Sequence, residues 1–214
     1  MAEFKYIIFF IVIFLGIPIG YIMAKKYPSV EKILWFLLLF FTARTEDINF
    51  ISMEVYRGTS KGFEIGLVDI TAAIMFLVIF NRRDKYPLEL PMGSFLYFIY
   101  FIFNCISIIN SDVYIYSFFE LWKMVRMYFY FFVIYNLIRS FKDIEQFLKY
   151  MIIIVFFITL IVLKQKYLDG LFQTMGPFPH QNSLVMYLIV YGSLFLSYLL
   201  NVKKSNIFLW TIAF

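Results

Sequence analysis

The chain has 214 residues, of which 63% are hydrophobic and 23% aromatic, with a mean hydropathy of +0.81 and a net charge of +5. Soluble domains are roughly half apolar, so this composition excludes an ordinary soluble globular protein and points to a membrane one. The excess of Lys and Arg would suggest a nucleic-acid partner in a soluble chain; here those residues stand in short loops between apolar runs, where they read as topology signals, and no nucleic acid is expected.

A membrane-crossing helix needs about 20 apolar residues. Runs of this kind are predicted over 4–24, 30–45, 65–80, 92–110, 118–138, 150–163 and 183–201, with another beginning at 207. The expected fold is therefore an all-α polytopic membrane protein, a bundle of about seven to eight transmembrane helices in one domain. The last run reaches only Phe214, so the chain reads as truncated inside a span. The second run is short and needs Lys32 to snorkel at its end. The first reads as an uncleaved span: its apolar core is too long for a signal peptide, and no small-residue cleavage site precedes Lys25-Lys26. The single Cys105 lies inside an apolar run and forms no disulfide within the chain.

Counting Lys and Arg orients the spans. One set of alternate loops holds eleven, among them Lys25, Lys26, Lys32, Arg82, Arg83 and Lys85; the other holds six, and Lys123 and Arg126 fall within a span. The positive-inside rule puts the richer set in the cytoplasm and the N-terminus, 44–64, 111–117 and 164–182 outside.

The outer segments carry the chemistry. Segment 44–64 mixes carboxylates, Arg44, Arg57 and Lys61 with aromatics and two glycines. It reads either as a solvated interfacial loop or as a flap offering Arg57 to an anion, since a guanidinium grips phosphate oxygens with a two-pronged fork. Segment 164–182 ends Gly176-Pro177-Phe178-Pro179-His180-Gln181-Asn182-Ser183. The prolines stiffen it, Asn182 or Ser183 suits an N-cap, and the following helix would present its positive end outward. His180 is either incidental to a capped helix start or the catalytic group of an anion site that includes Asn182 and Ser183.

Within the fifth span Glu120, Lys123 and Arg126 share one face. Glu120 and Lys123 are expected to pair. Arg126 is deeper and should face other helices or a wet cavity, with Asp69 as candidate counter-ion. A structural Arg–Asp tie and a substrate-binding Arg126 stand as equal readings. No phosphate-binding Gly-Lys-Ser/Thr loop, Asp-x-Asp or paired Cys/His spacing occurs, so neither cofactor nor metal is expected.

Three stretches carry a resemblance: Ser52-Met-Glu-Val-Tyr-Arg57-Gly58-Thr-Ser-Lys-Gly-Phe-Glu64 running into Leu67-Val-Asp69-Ile70; Gly176-x-Phe178-x-His180-x-Asn182-Ser183; and Glu120-Leu-Trp-Lys123-Met-Val-Arg126 followed by Asn136-Leu-Ile-Arg139-Ser. Together they resemble the O-antigen ligase and polymerase-related membrane proteins, from about the second span onward. The resemblance implies a glycosyltransferase of the bacterial inner membrane, active on its outer face in cell-surface polysaccharide synthesis. It would move a glycan from a polyprenyl-diphosphate carrier to lipid A–core or another glycan acceptor, without a nucleotide sugar. In the family, a large outer loop with essential Arg and His lies further along than this chain reaches, so His180 is not equated with that histidine. Alternatives are a polymerase of the same family, a transporter or flippase lined by Arg126 and Asp69, and a structural membrane subunit.

Overall fold

The computed structural model describes residues 2–43, 47–52 and 62–201. The chain is mainly helical and falls into two compact units, one of 1–41 and 45–139, the other of 42–44 and 140–214.

The first helix is continuous over 2–26 but not uniform. It joins α1 (Ala2–Ile11) to α2 (Ile17–Lys26) through a π-helical turn, Val12–Gly16. Pro18 explains the wide turn, because its ring nitrogen cannot donate to the carbonyl one turn back and the ladder shifts around the gap. Tyr27 ends α2 in an extended conformation, as a residue before proline prefers, and Pro28 opens α3 (Pro28–Ala43).

A two-stranded antiparallel hairpin follows, β1 (Asp47–Ser52) against β2 (Gly62–Gly66), with Asp47 opposite Gly66 and Ser52 opposite Gly62. The all-α expectation is corrected here. The arms of segment 44–64 carry β-branched and aromatic residues at Ile48, Phe50, Ile51, Phe63 and Ile65, which favour extended pairing over a plain loop. Arg57, Arg44 and Lys61 lie outside the described residues.

Helix α4 (Leu67–Asn81) starts directly from β2 and buries eight of its fifteen residues. It is apolar all round, the pattern of a helix enclosed by others. It packs on α2, on β2 and on α6 (Tyr114–Leu137), whose Phe119 and Val133 are fully buried. Between them, α5 (Ser94–Ser107) begins at Gly93, which takes the left-handed φ of 88°, and ends in a 3₁₀ turn, Ile108–Asn110.

In the second unit, α7 (Phe141–Tyr167) and α8 (Gln181–Asn201) form a helical hairpin. Ser140 and Asp143 cap α7 reciprocally: the Ser140 N–H donates to Asp143 Oδ2 at 2.8 Å, and the Ser140 side chain accepts from the Asp143 backbone N–H. The inner stripe of α7 is Leu148, Met151, Ile154 and Ile158, a spacing of three and four residues.

The predicted runs recur as helices with shifts of a few residues, apart from 207 onward, which lies outside the described residues, and 150–163, which is only the middle of α7. Among the described residues, two helices are long and apolar enough to cross a membrane, Phe9–Lys26 and Phe141–Tyr167. The latter, at 27 residues, is about 40 Å long against a hydrocarbon core of about 30 Å. Four of the others fall short for separate reasons. Helices α3, α4 and α5 have 16, 15 and 14 residues, and α6 carries three charges.

Candidate functional site

The base of the hairpin and the upper part of α6 are joined by a buried polar cluster. Asp69, in the first turn of α4, accepts the backbone N–H of Gly66 on Oδ2 at 2.6 Å, which fixes the carboxylate at the helix start. Arg126 of α6 then meets it with a two-pronged contact, Nε to Oδ1 at 3.0 Å and Nη2 to Oδ2 at 2.8 Å. Tyr130, one turn along α6, donates its hydroxyl to Asp69 Oδ1 and accepts from Arg126 Nε at 3.1 Å. On the other side, Arg126 Nη1 lies 3.7 Å from Glu64 Oε2. Trp122 Nε1 donates to the Glu64 carbonyl at 2.9 Å, and Phe63 packs edge-on against Phe119.

This geometry decides what Arg126 can do. The side chain is 8% exposed and both of its hydrogen-bonding edges face protein carboxylates. Among the described residues two carboxylates, Asp69 and Glu64, face this one guanidinium. To hold a phosphate it would have to surrender Asp69 or Glu64, leaving a buried carboxylate uncompensated. Arg126 is a tie between α6 and the hairpin–α4 junction, with Asp69 as its counter-ion. Glu120 and Lys123, half-exposed, make a loose pair at 3.9 Å on the same helix. Sequence reading missed Tyr130 and the role of Glu64. The signal for Tyr130 was its position four residues after Arg126, which puts both on one face.

The second candidate stretch belongs to the other unit and is an ordered loop. Gln165, near the end of α7, clips it with three hydrogen bonds: Nε2 to the Gly176 carbonyl at 2.8 Å, and Oε1 from the N–H groups of Gly176 and Met175 at 2.8 and 3.1 Å. Gly176 has φ +61°, and a Cβ there would lie 3.4 Å from Val162 and 3.5 Å from Leu184. Phe178 packs on Tyr187 of α8, with ring centroids 4.9 Å apart.

The cap of α8 differs from expectation. The helix starts at Gln181, so the capping position is His180, with Asn182 and Ser183 inside the first turn. His180 Nδ1 accepts the N–H of Asn182 at 3.2 Å, and its carbonyl accepts from Ser183 and Leu184. An imidazole nitrogen does here what a Ser or Asn oxygen usually does. The ring itself is exposed. Asn182 and Ser183 are exposed as well. Arg57 lies outside the described residues. Among the described residues no group of three His, Cys, Asp or Glu side chains is arranged to hold a metal.

A second clamp holds the connection before α5. Asn136, 2% exposed, pairs with the backbone of Glu89 in both directions, Oδ1 from N–H at 3.0 Å and Nδ2 to C=O at 2.9 Å. Arg139 donates to the Pro87 carbonyl at 3.0 Å and to Asn136 Oδ1 at 2.9 Å. Arg139 is thus a clamp residue and not the free loop cation its position suggests. Asn136→Leu should lower stability by about 1–3 kcal/mol, because the Glu89 amide group loses both partners in a half-buried place. Thermal denaturation in detergent checks this, and an unchanged midpoint would show that water replaces the clamp.

Compared with family models, with curated proteins and with solved structures, the chain matches none.

Proposed function

We propose that this chain is a multi-pass protein of the bacterial inner membrane with seven spans and the start of an eighth, and that it forms the membrane domain of an O-antigen ligase-type glycosyltransferase. Exposed apolar surface supports the membrane placement. Phe95, Leu96 and Phe103 of α5 are 74%, 70% and 66% exposed, and most of the face of α7 outside its inner stripe is likewise apolar and open. So much uncovered hydrocarbon needs lipid around it.

One observation carries the functional reading. Two of the three stretches that bear the family resemblance are bonded to each other: Phe63, Glu64 and Asp69 from one, Phe119, Trp122 and Arg126 from the other. Their bonding ties the β2 end of the hairpin to α6 at the head of α4. Arg126 then serves as scaffold, and the leaving diphosphate falls to Arg57. In the transfer, the bond from the sugar anomeric carbon to the phosphate oxygen breaks, and one to the acceptor oxygen forms. The acceptor proton passes to a base, which in the family the large outer loop would supply, and polyprenyl diphosphate departs. The Arg126–Asp69 pair, already bonded to each other, weighs against the carrier alternative.

The test is glycan transfer by the complete protein from a polyprenyl-diphosphate donor with chelator present. Transfer is expected. Arg57→Ala should reduce it at least about 10-fold and Arg57→Lys less, since lysine keeps the charge but not the fork. Wild-type transfer by Arg57→Ala would remove Arg57 from the site. A strict requirement for a divalent metal, or no transfer from any such donor, would overturn the reading.

A further inference from the structure

At the opposite end of the first unit, two stretches remote in sequence form one basic surface. Segments 25–32 and 82–86 together contain six cations and two carboxylates, Glu31 and Asp84. Glu31 brings them together: its two carboxylate oxygens each accept from Arg82, both at 2.7 Å. This contact holds the proton on Arg82 even more firmly than usual, through the hydrogen bond to Glu31 against a smaller cost of burial. It also consumes the one cation that Glu31 can neutralise.

Lys25, Lys26, Lys32, Arg83 and Lys85 are all exposed, and among the described residues none lies within ion-pair distance of a carboxylate. Three rest over aromatic rings instead: Lys26 over Tyr27 at 5.2 Å, Arg83 over Phe80 at 4.1 Å and Lys85 over Tyr86 at 5.3 Å. A ring face attracts a cation without cancelling its charge, so the heads stay held and available. Tyr27 and Tyr86 are 47% and 43% exposed, and open apolar side chains, Ile22, Ile33 and Phe80, lie next to them in sequence. The Asn136–Glu89 clamp fixes the far end of the 82–93 connection, so the cations sit on a braced platform.

We propose that this face is a binding surface for anionic phospholipid headgroups. Amphipathic tyrosines at the edge of exposed hydrocarbon mark an interfacial depth, and unpaired cations at that depth meet the phosphates of the leaflet. A zwitterionic headgroup offers no net charge to such a platform, whereas phosphatidylglycerol offers one negative charge with little obstruction. The inference rests on the membrane placement and not on the glycosyltransferase chemistry.

The test uses the complete protein purified in mild detergent and equilibrated with equal amounts of phosphatidylglycerol and phosphatidylcholine, with retained lipid read by mass spectrometry. Phosphatidylglycerol should be retained at least about 10-fold over phosphatidylcholine at low salt, and the preference should collapse at high salt. Replacing Lys25, Lys26, Lys32, Arg83 and Lys85 by Gln should abolish it, while Lys164→Gln with Lys166→Gln should not. Should the five-fold variant fail to insert, the headgroup and salt dependence of the wild type decide alone. Equal retention of the two lipids, or a preference indifferent to salt, overturns the proposal. Release of the chain by alkaline carbonate would instead overturn the membrane placement, so the two failures are distinguishable.

Discussion

Arg126→Leu is expected to lower the stability of the protein in mild detergent by about 3–5 kcal/mol, the cost of leaving a buried carboxylate without its partner. Asp69 has four donors: the Gly66 N–H, two guanidinium N–H groups and the Tyr130 hydroxyl. Removing Arg126 takes two of them and the positive charge in direct contact with the carboxylate. Asp69→Leu alone should also be costly, because it takes the two-pronged partner of the guanidinium and leaves the longer 3.7 Å contact with Glu64. The double variant should recover much of the loss, since two apolar side chains of matching size need no partners. Arg139→Leu makes the useful comparison. That side chain is 24% exposed and bonds mainly to carbonyls, so about 1 kcal/mol is expected from it. Reversible unfolding in denaturant, with all four proteins compared, checks the set. Equal losses for Arg126→Leu and Arg139→Leu would show that the buried cluster has no special standing.

The Arg126 cluster also shows how far the sequence could be read. A charge inside an apolar helix demands a partner, and Asp69 was the natural candidate on depth alone. Residues 120, 123 and 126 share a face by helical spacing, so the weak outer pair was visible too. Glu64 escaped because its role depends on the hairpin, and hairpin pairing is set by contacts between β1 and β2 that apolar run-lengths do not encode. The same blindness made segment 44–64 look like a loop. The roles of Asn136 and Arg139 were hidden for another reason. Both clamp to backbone atoms of Glu89 and Pro87, about fifty residues away, and a backbone group has no sequence signature. Run-lengths gave the helices well because hydrocarbon burial is a property of the segment, whereas each clamp is a property of a pair.

The loop before α8 was legible as stiff and misread at its cap, and it supplies the other large expected effect. Gly176→Val should destabilise the second unit by about 3 kcal/mol or more, combining a backbone cost with a steric one. At φ +61° an L side chain strains the backbone by about 1–2 kcal/mol, and a β-branched one by more. The γ-carbons must then enter a space where even a Cβ would be 3.4 to 3.6 Å from Val162, Leu184 and Ile158. Gly170 separates the two terms. Its φ is +67° with nothing within 4 Å, so Gly170→Ala should show the backbone cost alone and Gly170→Asn nearly none. Gln165→Ala acts on the same loop without touching its backbone angles. It leaves the Gly176 N–H and C=O and the Met175 N–H without their shared partner, and amide exchange at 175 and 176 should accelerate at least about 10-fold. His180 keeps its place at the head of α8 only while that loop holds its path. Unaltered exchange in Gln165→Ala would mean that the two prolines and the Phe178–Tyr187 contact hold the loop without the clip.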